Sequence, residues 1–517
     1  MSMREKVREL EQKRQEALKM GGEKALQKQH KKGKLSARER IQILLDEGTF
    51  LEFGMLAGHH PMADGVLAGK NTAADGVITG YGKLNGRYVG VAAYDFTVLG
   101  GSMGAVGEIK MTRLRELVLR HRIPIIWLID SAGARIHEFS LFPPTFAGSG
   151  ALFREQSIMS GVIPQVCAMV GPGAAGTAYI PGLADFVPMV KGTSHMALGG
   201  PPLVKAATGE DISEEELGGS RIHCQISGVA DLEVPDDEAC MKVIGEYLSY
   251  FPSHCEEKPP ILPWNEPVGL LDETFLDLVP TDPRRPYDMH KVIEQIVDHG
   301  KYFEIKPQWA KNLITCFARI GGYPVGILAN QPKVWGGILD VNSADKGARF
   351  IQICDAFQIP LVFFQDVPGF MVGSKVEKEG IISHGAKMIH CLSNARVPKL
   401  TVVVRKAYGA GYYAMCGRAY EPDLIVAWPT AEISVMGPEG MLGILSRSQL
   451  KDLDEKSKKV VLEDIRKKID AYGAARIGFV DDVIHPLETR QVLFQALEAS
   501  WNKMVERPFK WRGIMPI

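Results

Sequence analysis

The sequence predicts an α/β protein built from two tandem copies of one layered domain. Three observations predict it. The stretch from Val89 to Gly133 returns as Val325 to Gly369, with Gly100-Gly101 matching Gly336-Gly337, Ile123-Pro124 matching Ile359-Pro360 and Asp130 matching Asp366, all at an offset of 236 residues. A long internal repeat in strict register marks a duplicated structural unit. Ile125 to Ile129 and Leu361 to Phe364 are unbroken apolar runs flanked by helical patterns, as strands buried on both faces require. Glu256 to Pro267, with Pro259, Pro260, Pro263 and Pro267, reads as a linker between the copies. The expected domains are 1–260 and 268–510.

Taken in order, residues 3–31 read as one charged helix, a solvated or partner-packing arm. Leu35 to Leu45 reads as a second helix, with Ser36 and Glu39 forming a capping box and Ile41, Leu44 and Leu45 its apolar face. Strands are expected at Gly76 to Ile78 and Tyr88 to Ala93. Each repeat then runs strand, Gly-Gly turn, amphipathic helix, Ile-Pro step, buried strand, Asp and a Gly-containing turn. The echo continues from Ile163-Pro164 to GPGAAGTAY and from Val397-Pro398 to RKAYGAGYYAM, now at an offset of 234. Ala174-Ala175-Gly176 falls opposite Gly409-Ala410-Gly411, give or take a residue. The second copy is expected to end near Met436, followed by charged packing helices.

At 517 residues the chain exceeds one hydrophobic core. Hydrophobic content of 45% and charged content of 23% suit a globular protein, and a net charge of −1 gives no basic field for nucleic acid. Eight cysteines without CxxC spacing fit a reducing compartment. The charged N-terminal residues do not form a signal sequence, and no apolar run approaches the roughly 20 residues of a membrane span. A cytoplasmic enzyme or binding protein is expected.

Gly171 to Gly176, GPGAAG, matches the dinucleotide fingerprint, yet no strand ending in an acidic residue follows at the right distance, and AYGAGY in the second copy breaks the pattern. Asp130, His137 and Glu138 match no trusted metal-ligand spacing. His223 and His384 are lone histidines, and Ser131 lacks a nucleophile elbow. Backbone amides carry the stronger reading. A Gly/Ala-rich turn at a helix start presents unpaired N–H groups and a positive dipole end. Two such turns over one pocket form an oxyanion hole. The expected pairs are Gly133-Ala134 with Ala175-Gly176, and Gly369-Phe370 with Ala410-Gly411. Two holes suit two substrates that each develop negative charge on oxygen. The lack of a side-chain base suggests that a substrate or cofactor supplies one.

DFTVLGGSMGAVGEIK, DSAGARIHE, GPPLVKAATGEDISEEELGGSRIHCQISGVAD, DVPGFMVG and RKAYGAGYYAMCGRAY resemble the carboxyltransferase (β) subunits of biotin-dependent acyl-CoA carboxylases, from about Gly21 to about Arg490. The resemblance implies two tandem crotonase-like (ClpP/crotonase) β-β-α superhelix domains. It implies carboxylate transfer from carboxybiotin on a carrier protein to an acyl-CoA through a thioester enolate. It also implies biotin carboxylase and biotin carboxyl carrier partners, a homohexamer, and no metal in this subunit. The acyl-CoA would sit on the N-terminal domain, its enolate oxygen at Ala175-Gly176. The biotin would sit on the C-terminal domain, its ureido oxygen at Ala410-Gly411, with Tyr413 beside it. Propionyl-CoA-type members carry Asp where this chain has Tyr413, and GAGYYAMCGRAY resembles the methylcrotonyl-CoA and geranyl-CoA type, while DSAGARIHE and DVPGFMVG resemble the propionyl-CoA type, so the chain is mixed. The apolar stretch Phe139 to Gln156 departs from both patterns and is expected to shape the acyl pocket. The competing expectations are a decarboxylase or transcarboxylase subunit of the same fold and a non-catalytic acyl-CoA-binding scaffold.

Overall fold

A computed structural model describes residues 1–517 except 142, 449–453, 512 and 517. The chain forms two units, Met1–Glu257 and Lys258–Ile517. Each contains one eight-stranded mixed sheet.

In the first unit the strands are β1 (Leu51–Phe53), β2 (Val77–Leu84), β3 (Arg87–Tyr94), β4 (Ile125–Ser131), β5 (Gln165–Ala174), β6 (Pro188–Val190), β7 (His195–Ala197) and β8 (Leu232–Val234). They lie in the order β1-β2-β3-β4-β5-β6-β8, with β7 continuing beside the end of β5. In the second unit β9 (Tyr302–Glu304), β10 (Leu313–Ile320), β11 (Tyr323–Asn330), β12 (Leu361–Val367), β13 (Lys399–Tyr408), β14 (Leu424–Ala427), β15 (Glu432–Ser434) and β16 (Asp482–Val483) repeat that plan. Their order is β9-β10-β11-β12-β13-β14-β16, with β15 beside the end of β13. The first three strands of each sheet pair antiparallel and the rest parallel.

The duplication follows from local chemistry. β4 and β12 are buried along their whole length, which is why their sequences are continuous rather than alternating. The Gly-Gly turns sit in left-handed backbone at the same place in each copy. A Cβ at Gly101 would lie 2.2 Å from the Asp130 carbonyl oxygen, and one at Gly337 would lie 2.6 Å from that of Asp366. Only glycine satisfies both demands. The helices that follow, Ala105–His121 and Val341–Ala356, are succeeded by left-handed Arg122 (φ 56) and Gln358 (φ 57). That equivalence holds although neither residue is glycine. On the first of these helices Lys110 is buried, donating to the carbonyls of Ala74 at 2.7 Å and Val77.

The structure corrects two expectations. Residues 3–31 form two helices, Met3–Leu18 and Glu23–Lys31, because Met20 and Gly22 take positive φ where Gly21 abuts Thr97. The first has no buried residue, but the second buries Gln29. The second copy also extends past Met436, since β16 pairs parallel to β14 and Ile484, Leu487, Leu493 and Leu497 join its core. The charged segment before it forms the helix Glu455–Ile469, its expected start near Leu450 lying outside the described residues. The Ser36–Glu39 capping box is present on the helix Ala37–Leu44. Among the described residues no helix is long and apolar enough to cross a membrane.

Candidate active site

Two turns leave each sheet at the C-terminal ends of adjacent parallel strands. In the first unit β4 leads into Ala132-Gly133-Ala134, and β5 leads through Ala175 into the helix Gly176–Leu183. Ser131 is paired with Gly173, so the two turns lie side by side. A Cβ at Gly133 (φ 90) would come within 3.0 Å of the Ala174 carbonyl oxygen. In the second unit β12 leads into Pro368-Gly369-Phe370, and β13 leads directly into the helix Gly409–Ala414. Val367 is paired with Ala407, and a Cβ at Gly411 would lie 2.9 Å from the Gly369 Cα. Within each unit the structure therefore brings the expected residues together.

The amides differ in availability. The Gly133 N–H donates to Ser131 Oγ at 3.1 Å, and the Ala175 N–H donates to the Ala197 carbonyl at 3.1 Å. Among the described residues, the N–H groups of Ala134 and Gly176 have no acceptor, and neither do those of Gly369, Phe370, Ala410 and Gly411. Gly176, Ala410 and Gly411 head helices, where unpaired donors and the dipole favour an anion. Ala175 and Ala410 are exposed, so these helix starts are open to a ligand.

Strand register settles how the copies correspond. Through the Ser131–Gly173 and Val367–Ala407 pairs, Ala175 matches Gly409 and Gly176 matches Ala410, one residue from the alignment on small residues. Ala175 holds φ 52 and ψ −120, and Gly409 holds φ 58. An alanine held there stores strain at the turn, while the second copy avoids it with glycine. Tyr413 is exposed two residues beyond Gly411, its ring beside those of Tyr412 and Tyr420.

The strand-end aspartates anchor these turns. Asp130 is wholly buried and takes Gln29 Nε2 at 2.7 Å, Lys34 Nζ at 2.6 Å and Arg40 Nη1 at 2.9 Å. Burial pushes the Lys34 amine below its ordinary range, against the pull of Asp130. Asp366, also wholly buried, takes Arg405 Nε at 2.8 Å and the Lys406 ammonium at 3.4 Å. Arg405 corresponds to Gly171 at the offset of 234. A Cβ at Gly171 would lie 2.0 Å from Asp130 Oδ1 and 2.6 Å from Lys34 Nζ. The first copy thus empties this position so that cations from the N-terminal segment can reach in. That also accounts for GPGAAG: Gly171 and Gly173 lie inside β5, not in a phosphate-binding loop.

The other candidates are structurally engaged. Glu138 pairs with Arg135 at 3.2 Å, and His137 is exposed. Arg135 also pairs with buried Asp75 and donates to the Ser102 carbonyl at 2.9 Å, fixing the backbone just after Ala134. Burial pushes the Asp75 carboxyl up, opposed by that guanidinium. His223 bonds the Met196 carbonyl and Ser227 Oγ, and His384 bonds Asp345. Among the described residues no cluster of His, Cys, Asp and Glu could hold a metal ion. Sequence reasoning missed Gln29, Lys34, Arg40, Asp75, Arg135 and Arg405. The only local signal was a charged residue interrupting an otherwise apolar strand, as at Arg405.

Known proteins share this sequence and fold. The carboxyl transferase domain family matches residues 28–515. The chain is 44% identical to the propionyl-CoA carboxylase carboxyltransferase subunit of Haloferax mediterranei and 43% identical to the methylmalonyl-CoA decarboxylase subunit alpha of Veillonella parvula, over all of this chain and all of each relative. A crystal structure of the transcarboxylase 12S hexamer, with methylmalonyl-coenzyme A and methylmalonic acid bound, superposes with a TM-score of 0.96 at 42% identity, covering 100% of this chain and 99% of that one. The duplicated, crotonase-like α/β fold and the family match agree, and the chain belongs to the carboxyl transferase family as an enzyme of acyl-CoA carboxyl transfer.

Proposed function

We propose that this chain is the carboxyltransferase subunit of a biotin-dependent acyl-CoA carboxylase, carboxylating an acyl-CoA with carboxyl groups brought by a partner's biotin carrier. The observation that carries the proposal is the duplicated pair of turns, each with amides left open at a helix start. The acyl-CoA binds the N-terminal unit, where the N–H groups of Ala134 and Gly176 hold the thioester oxygen as it becomes an enolate. Donors fixed before the reaction stabilise charge that develops only in the transition state. Ala175 contributes its backbone turn rather than its N–H, which Ala197 already occupies.

The C-terminal unit suits biotin. The exposed start of the helix Gly409–Ala414 offers N–H donors from Ala410 and Gly411 to a ureido oxygen, with Gly369 and Phe370 alongside and Tyr413 at the rim. When bound, carboxybiotin supplies both the carboxyl group and, after its release, the base for the acyl proton. The chain therefore holds and orients two oxyanions and needs no side-chain base. The same reading has the chain assemble as a homohexamer with biotin carboxylase and carrier partners; the likeness to the transcarboxylase 12S hexamer and to a propionyl-CoA carboxylase subunit supports it.

Labelled bicarbonate tests the proposal. With ATP and an acyl-CoA, the chain alone should incorporate no label, and adding the partner carboxylase and carrier should restore incorporation. Label fixed by the chain alone, or no transfer with partners present, would overturn it.

A further inference from the structure

The N-terminal unit contains an apolar cavity of about 440 Å³. It is lined by His60, Met62, Ala63, Ala105, Phe139 and Leu141. Phe139 and Leu141 open the apolar stretch that departs from both acyl-specific patterns; its neighbour Phe142 lies outside the described residues. The Met62 N–H donates to His60 Nδ1, fixing the imidazole against the turn Pro61–Ala63. Ala63 is fully buried and anchors that turn.

Two of the residues lining the cavity are tied to the turn assigned to the enolate. Met103, two residues before Ala105, pairs with Ala134, its N–H donating to the Gly133 carbonyl at 2.9 Å. Glu138 also lines the cavity and is held by Arg135, the residue after Ala134. These links put apolar space within reach of an acyl chain whose thioester is held at Ala134.

Size then selects the substrate. A propionyl group places two carbons beyond the carbonyl, which at roughly 30 Å³ per atom would fill only about a seventh of the space. We propose that this cavity receives the acyl chain, and that the preferred substrate is a CoA thioester with an apolar acyl group of about six carbons or more. This rests on the reading of the N-terminal unit as the acyl-CoA side. Burying each added methylene favours binding by about fourfold.

Isothermal titration of the full chain with CoA, propionyl-CoA, hexanoyl-CoA and octanoyl-CoA tests the proposal. Hexanoyl-CoA should bind at least tenfold more tightly than propionyl-CoA. Ala105→Phe, which fills the space from an exposed helix start, should reduce that advantage to under threefold. Phe139→Ala should also erode it and serves if Ala105→Phe does not fold. Equal affinity for propionyl- and hexanoyl-CoA, or an advantage that persists in both variants, would overturn the inference and leave the carboxyltransferase reading standing. Failure of CoA and every thioester to bind would overturn both.

Discussion

Gly411→Ala probes the biotin-side turn most directly. Gly411 is buried between the two turns, and a Cβ there would lie 2.9 Å from the Gly369 Cα, 3.1 Å from its carbonyl carbon and 2.7 Å from Val367 Cγ2. Carbon atoms rest at about 3.5 Å or more, so Gly369 and Gly411 must separate by roughly 0.6 Å. Site geometry tolerates about 0.5 Å before function suffers. One displaced oxyanion donor lowers turnover by about 100- to 1,000-fold, or about 3–4 kcal/mol of transition-state stabilisation. Initial rates of label transfer in the reconstituted complex measure this, and circular dichroism checks that the fold is kept. Acyl-CoA binding, measured by calorimetry, should stay within threefold of wild type, because the affected turns belong to the other unit. A folded Gly411→Ala protein with turnover within threefold of wild type would refute the assignment of these amides.

Three further outcomes follow. Asp130→Asn leaves buried Lys34 without its charge partner and Arg40 with only Asp237, and should cost about 3–5 kcal/mol in chemical denaturation; under 1 kcal/mol would show that the cluster does not anchor the turn. Ala175→Gly removes a side chain from backbone at φ 52 and should stabilise the protein by about 1 kcal/mol with transfer retained; a loss of stability would show that the turn is not strained. Burial holds the Lys110 amine down to about 8 from its ordinary 10.5, so between those values the unfolded chain binds a proton that the folded chain does not. Stability should therefore rise with pH across that window, by about 3 kcal/mol, and Lys110→Met should abolish the rise in denaturation measured at each pH.

Local residue patterns were enough to specify the duplication, the strands β4 and β12, the Gly-Gly turns and the small-residue turns at Ala175 and Ala410. Each is a local requirement: a strand buried on both faces must be apolar throughout, and left-handed backbone packed against a carbonyl must be glycine. Other features depended on contacts made across the folded chain. Arg122 and Gln358 take left-handed backbone without glycine, and strand register, not residue similarity, aligns Ala175 with Gly409. The occupant of the space beside each strand-end aspartate was equally hidden, since Asp130 is satisfied by Lys34 and Arg40 from the distant N-terminal segment while Asp366 is satisfied by Arg405 of the adjacent strand. A buried charge must find a partner wherever the folded chain can bring one, and amides are left open only where packing provides no acceptor. Both conditions are set by contacts between residues far apart in the chain, which no local pattern records.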